Sequence, residues 1–96
     1  MSVWSLAVSS DDDVRVLIGQ NIVLSRRKVE PPLSQGDVLR AQLSLLDEGE
    51  RPFVRQELSA WENGHKRPSD ARLRLIGLIT GRSLGWFYES HDDEED

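Results

Sequence analysis

The sequence predicts an all-α domain of four helices and a last helical turn or two. Apolar residues recur at intervals of three and four along successive stretches, no stretch competes with the alternating pattern of a strand, and Pro, Gly and Ser punctuate the chain at helix-length spacing. At 96 residues the chain has room for one domain, which excludes a catalytic barrel, a doubly wound dinucleotide fold or a two-domain cleft. Leu, Ile, Val and Phe number 27, about 28% of residues against the roughly 20% that signals intrinsic disorder, so a modest core is available. The sequence has no cysteine, which excludes disulfide staples and thiol chemistry and leaves helix packing to supply stability.

Helix 1 is announced by Asp11, Asp12 and Asp13, which suit a helix N-terminus, followed by Val14, Leu17, Ile18, Ile22 and Val23 at helical spacing. It runs to about Lys28, because Pro31 and Pro32 lack an N–H and push their predecessors out of the α region. Ser34 with Asp37 three residues on resembles a capping box and opens helix 2 through Val38, Leu39, Leu43 and Leu46. Asp47-Glu48-Gly49-Glu50 breaks the pattern. Pro52 suits the start of helix 3, about residues 53–62, where Val54, Leu58 and Trp61 fall at i, i+4 and i+7 and Asn63-Gly64 ends the run. Ser69 caps helix 4, which carries Leu73, Leu75, Ile76 and Ile79 and stops at Gly81. Ser83 opens a last turn or two with Trp86 and Phe87.

Charge is unevenly placed. The formal net charge of −5 argues at first against a nucleic-acid partner. Yet Asp11 to Asp13, together with Glu89, Asp92, Asp93, Glu94, Glu95 and Asp96, hold nine acidic groups, while residues 14–88 hold all 12 basic residues against 8 acidic ones. The expected organisation is a partly flexible segment 1–13, a basic domain 14–88 and a disordered, solvated acidic tail 89–96, for which screening of non-specific phosphate binding is the sharper alternative. The opening MSVWSLAVSS lacks a basic n-region, and no apolar run approaches the roughly 20 residues of a membrane span, so the expectation is a soluble cytoplasmic protein without a membrane partner.

Catalytic and metal readings lack their parts. There are two His, His65 and His91, and no glycine-rich loop after a strand. The run His91 to Asp96 lacks the glycine turn and spacing of a calcium loop, so no metal or other cofactor is expected.

If Val54, Leu58 and Trp61 face the core, then Arg55, Gln56, Ser59, Ala60 and Asn63 share an outward face. Such residues are ordinarily solvated surface. They are also competent to read base edges: Arg binds guanine O6 and N7, Gln binds adenine N6 and N7, Ser donates or accepts, and Ala meets a thymine methyl.

The run Leu58-Ser59-Ala60-Trp61-Glu62-Asn63-Gly64, continued by His65-Lys66-Arg67-Pro68, resembles the signature of the Cro/C1-type, or XRE-like, helix-turn-helix proteins. Ile18 to Ile22 with Arg26, Leu33-Ser34-Gln35, Leu73 to Leu78 and Ser83 to Phe87 resemble the family's other helices, so the similarity spans about Leu17 to Tyr88. The resemblance implies a lambda-repressor-like five-helix bundle whose third helix lies in the major groove of double-stranded DNA, usually as a homodimer on a palindromic operator. The positions matching the family's base contacts are Arg55, Gln56, Ser59 and Ala60; Gln35 matches its phosphate-touching Gln, and Asn63, His65, Lys66 and Arg67 match the loop that grips backbone. Arg26 and Glu62 match an internal ion pair that joins helices 1 and 3.

The chain departs from the family pattern in two places. A small extension lies at Val29 to Pro32, and about nine additional residues around Leu43 to Pro52 fall where a three- or four-residue turn is usual. The apolar spacing predicts that helix 2 extends through Leu46, and its protruding end needs cover from Trp4, Leu6 and Val8, from another protomer, or from a different protein. Leu39, Leu43, Leu45, Leu46, Trp86 and Phe87 are the candidate interface. The functional expectation is a DNA-binding transcriptional regulator, a repressor. The alternative is a protein-binding adaptor or antitoxin that holds its partner through the 43–52 insertion and the acidic tail.

Overall fold

In the computed structural model, which describes residues 11–91, the chain folds into four α-helices and a terminal 3-10 helix, with no strand among the described residues. The helices are α1 (Asp11–Arg27), α2 (Gln35–Gln42), α3 (Arg55–Glu62) and α4 (Asp70–Thr80), and the 3-10 helix is Leu84–Tyr88. No helix among the described residues is long and apolar enough to cross a membrane. Trp4, Leu6 and Val8, and the acidic run from Asp92, lie outside the described residues.

The core takes side chains from every element: Ile18 and Ile22 from α1, Val38 from α2, Leu58 and Trp61 from α3, Leu73, Leu75 and Ile76 from α4, and Phe87 from the 3-10 helix, joined by Phe53 just before α3. The Phe53 and Trp61 rings meet at 5.2 Å between centroids with a 59° tilt, a favoured aromatic geometry. α1 packs on α3 and on the 3-10 helix, and α2 packs on α4. The α1–α3 approach is close because Gly19 has no side chain: a Cβ built there lies 2.4 Å from the Trp61 carbonyl oxygen and 2.7 Å from that of Glu62.

Local bonds cap α2 and α4. Ser34 accepts from the Asp37 N–H at 3.1 Å and Asp37 accepts from the Ser34 N–H at 2.9 Å, a complete capping box on α2. Ser69 accepts from the Arg72 N–H at 3.2 Å. Gly81, with φ of 79°, closes α4 in the left-handed conformation while its N–H and that of Arg82 bond to the Gly77 carbonyl at 2.7 and 2.8 Å.

Three expectations are corrected. Helix 2 does not extend through Leu46; it stops at Gln42. The cause is Gln42 itself, 1% exposed, whose amide donates to the Phe53 carbonyl at 2.7 Å and accepts from the Phe53 N–H at 3.0 Å. This double bond to the backbone draws the chain back beside the end of α2, so Leu43–Leu45 become a turn and residues 46–54 a connector. Leu46 then packs on the core, while Leu43 and Leu45 are exposed. Val54 does not face the core: it is the N-cap of α3 and is exposed, and Phe53 takes the buried position. Finally, the acidic tail does not begin at Glu89. Asn21 donates to the carbonyls of Phe87 at 2.9 Å and Glu89 at 2.7 Å, and the His91 ring stacks on Trp86 at 4.0 Å, which fasten residues 89–91 to the bundle.

Gly19→Ala should destabilise the fold by about 3 kcal/mol, the upper range for overpacking, because its new methyl meets backbone that cannot move aside. Gly85→Ala, which meets nothing within 4 Å, serves as the control and should change stability little. Urea unfolding followed by circular dichroism checks both; equal midpoints for the two variants would contradict the close approach of α1 and α3.

Candidate nucleic-acid interface

α3 is short, and its position is set from both sides. Leu58 and Trp61 anchor the inner face, leaving Arg55, Gln56 and Asn63 exposed and Ser59 and Ala60 half-buried on the outer one. At its N-terminus Val54 has no side-chain acceptor, so Glu57 does the capping by accepting from the Val54 N–H at 3.0 Å. Arg51, from the connector, holds that carboxylate with two bonds of 3.2 and 3.1 Å. The Arg51 bond is the main cause that keeps the Glu57 carboxyl below its usual range, with the Val54 N–H second. Hydrogen bonds from Ser34 hold Asp37, which caps α2, below its usual range in the same way.

At the other end of α3 the Glu62 carboxylate is a junction. Arg26 of α1 donates to it from Nε at 2.8 Å and from a terminal nitrogen at 3.0 Å, a bidentate pair, and Gln35 of α2 donates from Nε2 at 2.9 Å. Arg26 also donates to the Leu33 carbonyl at 3.2 Å. With side-chain exposures of 18% for Arg26 and 6% for Glu62, the pair is well shielded. The Glu62 hydrogen bond raises the pKa of Arg26.

Gln35 does more than meet Glu62. Its Nε2 also donates to the Ser59 hydroxyl at 3.2 Å and its Oε1 accepts from Arg55 at 3.4 Å. The expected outward role is thus met by an inward one: the Gln35 amide spends its donors on α3 and ties two of the outward residues to the start of α2. Sequence reading missed Arg40 here. Its guanidinium and that of Arg55 both lie beside Gly36 in the first turn of α2. The available signal was the Asp37–Arg40 spacing of three, which places the Arg on the same side of the helix as the cap.

Beyond α3 the chain turns back sharply, with the N–H groups of His65 and Lys66 bonding to the Ala60 carbonyl at 2.9 and 3.3 Å. The His65, Lys66 and Arg67 side chains are all exposed. Arg67 donates to the Tyr88 hydroxyl at 3.1 Å and lies 5.5 Å from its ring centroid, while that hydroxyl donates to Asp70 at 2.8 Å. Arg15 of α1, also missed, donates to the Gly64 carbonyl at 3.3 Å and brings a further cation beside this loop.

The candidate interface residues separate. Leu43 and Leu45 are exposed, Leu39 and Leu46 are half-buried against the core, and Trp86 is half-buried between His91 and Arg82, whose guanidinium lies 4.5 Å from the ring centroid. Phe87 is corrected: at 0% exposure it is core and cannot meet a partner. Among the described residues no three of His, Asp or Glu gather in a way that could hold a metal ion.

Because Asp37 and Glu57 titrate below their unfolded values of 3.8 and 4.5, each contributes stability that is complete above those values and is lost as pH falls through the lower native pKa. Thermal midpoints measured by circular dichroism should therefore fall as pH drops from about 5 to about 3, and the Asp37→Asn, Glu57→Gln double variant should show a shallower dependence. An unchanged slope in that variant would contradict the capping roles.

Comparison with models of known protein families finds no match, and comparisons with curated proteins and with solved structures find none either.

Proposed function

We propose that this chain is a sequence-specific double-stranded DNA-binding regulator of the Cro/C1-type helix-turn-helix kind, acting as a repressor. In this reading α2 and α3 are the helix-turn-helix pair within a lambda-repressor-like five-helix bundle, the 3-10 helix standing fifth, and residues 43–54 replace the usual tight turn. The observation that carries it is the outer face of α3: Arg55, Gln56, Ser59 and Ala60 stand together beside the exposed His65 and Lys66, while the two carboxylates of α3, Glu57 and Glu62, are each held by an arginine. Phosphate repulsion by those carboxylates is thereby reduced.

The mechanism follows from the roles the side chains can take. Arg55 and Gln56 supply bidentate readers of guanine and adenine, Ser59 a further donor or acceptor, and Ala60 apolar contact with a thymine methyl. Lys66, His65, Arg67 and Asn63 supply contacts to one stretch of backbone. The first turn of α2, with its N–H groups and Arg40, supplies contacts to another. Gln35 acts as a positioning residue, because its amide holds Arg55 and Ser59. Occupation of an operator overlapping a promoter would exclude the transcription machinery from it.

A second reading, a protein-binding adaptor of the antitoxin kind, draws on one observation, the exposure of Leu43 and Leu45 in the insertion.

Selection of bound sites from a random duplex pool, followed by titration of the selected duplex, separates the two. Arg55→Ala and Gln56→Ala should each cost about 1–3 kcal/mol on the selected site and relax its sequence preference, whereas Lys66→Ala should weaken selected and random duplexes alike and reduce the salt slope by about 1. Failure to enrich any site at low salt, or equal losses on both duplexes for every variant, would overturn the proposal.

A further inference from the structure

A groove of about 440 Å³ runs between α4 and the connector, away from the outer face of α3. On α4, Ala71, Leu75 and Leu78 fall at i, i+4 and i+7 and form one apolar strip, with Leu46 of the connector across from it. At 1.5 Å per residue the strip is about 10 Å long, two helical turns. Leu78 is 67% exposed, and Leu43 and Leu45, at 61% and 43%, occupy the turn that leads into Leu46. Single exposed leucines need no explanation, but several around one groove mark a contact surface.

The charges on its rim are sorted. Arg74 stands on the α4 edge, and Asp47 and Glu50 stand on the connector edge. The Glu50 carboxylate is fixed there, accepting from the Asp47 N–H at 2.6 Å. The other two arginines beside the groove are engaged, Arg51 with Glu57 and Arg72 over the Phe53 ring at 5.7 Å from its centroid. The side chains of Arg74 and Asp47 make no hydrogen bond or ion pair among the described residues.

These features select the occupant. A small ligand needs enclosure on most sides, and Leu78 lies in the open. An extended segment would set its backbone N–H and C=O groups against leucine side chains with no sheet edge to pair them, since the described residues contain no strand. Phosphates of a nucleic acid would be repelled by Asp47 and Glu50. A helix satisfies its own backbone bonds and brings apolar side chains at the spacing of the strip. If that helix were apolar all round, it would strip water from Arg74 and Asp47 without pairing them.

We propose that this groove takes an amphipathic helix of another protein, whose apolar stripe lies between one acidic and one basic flank. The acidic flank pairs with Arg74 and the basic flank with Asp47 and Glu50. This occupant supplies the partner of the adaptor reading above and rests on that reading. It is independent of duplex binding, since no residue lining the groove belongs to the outer face of α3.

Lactam-bridged helical peptides of about 14 residues test it against the full chain. Three share one leucine stripe and differ in their flanks: glutamate on one side and lysine on the other, glutamate on both, or lysine on both. Fluorescence anisotropy at low salt should place the mixed peptide ahead of either uniform one by about fivefold or more. Arg74→Glu should move the preference to the lysine-flanked peptide, and the Asp47→Lys, Glu50→Lys pair should move it to the glutamate-flanked one. Leu78→Asp should weaken all three at least about tenfold. Because these positions are exposed, circular dichroism should show each variant folded. Methyl NMR shifts caused by the mixed peptide should centre on Leu46, Leu75 and Leu78. Shifts centred on Leu43 and Leu45 would overturn the groove as the site while leaving the adaptor reading in place. Absence of binding, self-association of the chain that shuts the peptide out, or one unchanged ranking in every variant would overturn the proposal as well.

Discussion

The Glu62 carboxylate is the constraint on which the rest of the arrangement depends. It stands at the last residue of α3 and accepts two bonds from Arg26 of α1 and one from Gln35 at the first residue of α2, so one side chain fixes three helices relative to one another. Breaking a buried pair leaves a charge unmatched at a cost of about 3–5 kcal/mol, whereas an exposed pair contributes about 0–1 kcal/mol. The shielded Arg26–Glu62 pair belongs nearer the first class and the exposed Arg51–Glu57 and Arg40–Asp37 pairs to the second. The geometry of the outer face of α3 therefore rests on its C-terminal junction, with the N-terminal cap as a weaker second support.

That junction also explains how a twelve-residue connector between α2 and α3 is accommodated. In a short helix-turn-helix the turn itself sets the crossing of the two helices. Here α2 and α3 are separated by twelve residues, 43–54, and the crossing is set instead by two side-chain amides: Gln42 bound to the Phe53 backbone at one end, and Gln35 bound to Ser59 and Glu62 at the other. Within those clamps the connector is free to carry its own chemistry. It places Leu46 on the core, Arg51 on the cap of α3, and the acidic turn of Asp47, Glu48, Gly49 and Glu50 in solvent.

Much of this was legible in the sequence where local rules suffice. Ser34, Ser69 and Gly81 mark helix ends through bonds made within a few residues, and Ile18, Ile22, Leu58, Trp61, Leu73 and Ile76 keep helical spacing because the core is continuous there. The outward set Arg55, Gln56, Ser59, Ala60 and Asn63 was legible for the same reason, being the complement of the buried stripe. What was not legible depended on contacts distant in sequence. Leu39, Leu43 and Leu46 keep helical spacing by coincidence, since Gln42 ends α2 through a partner eleven residues away. Phe53 and Val54 are adjacent apolar residues, and the contacts that bury Phe53, the Gln42 bonds to its backbone and the Trp61 ring, come from elsewhere in the chain. Gln35 reads equally well as a phosphate contact until its neighbours on α3 are known. Arg40 and Arg15 reach the candidate face only through the fold.

In the proposed function a duplex touches the outer face of α3. The most direct measurement is a solution NMR titration of the full chain with a selected duplex, following the side-chain and amide resonances of assigned residues. The largest changes should fall on Arg55, Gln56, Ser59 and Ala60, with Lys66 and the first turn of α2 next and the Leu46–Leu78 groove unaffected. Changes centred on that groove, with the outer face of α3 silent, would contradict it.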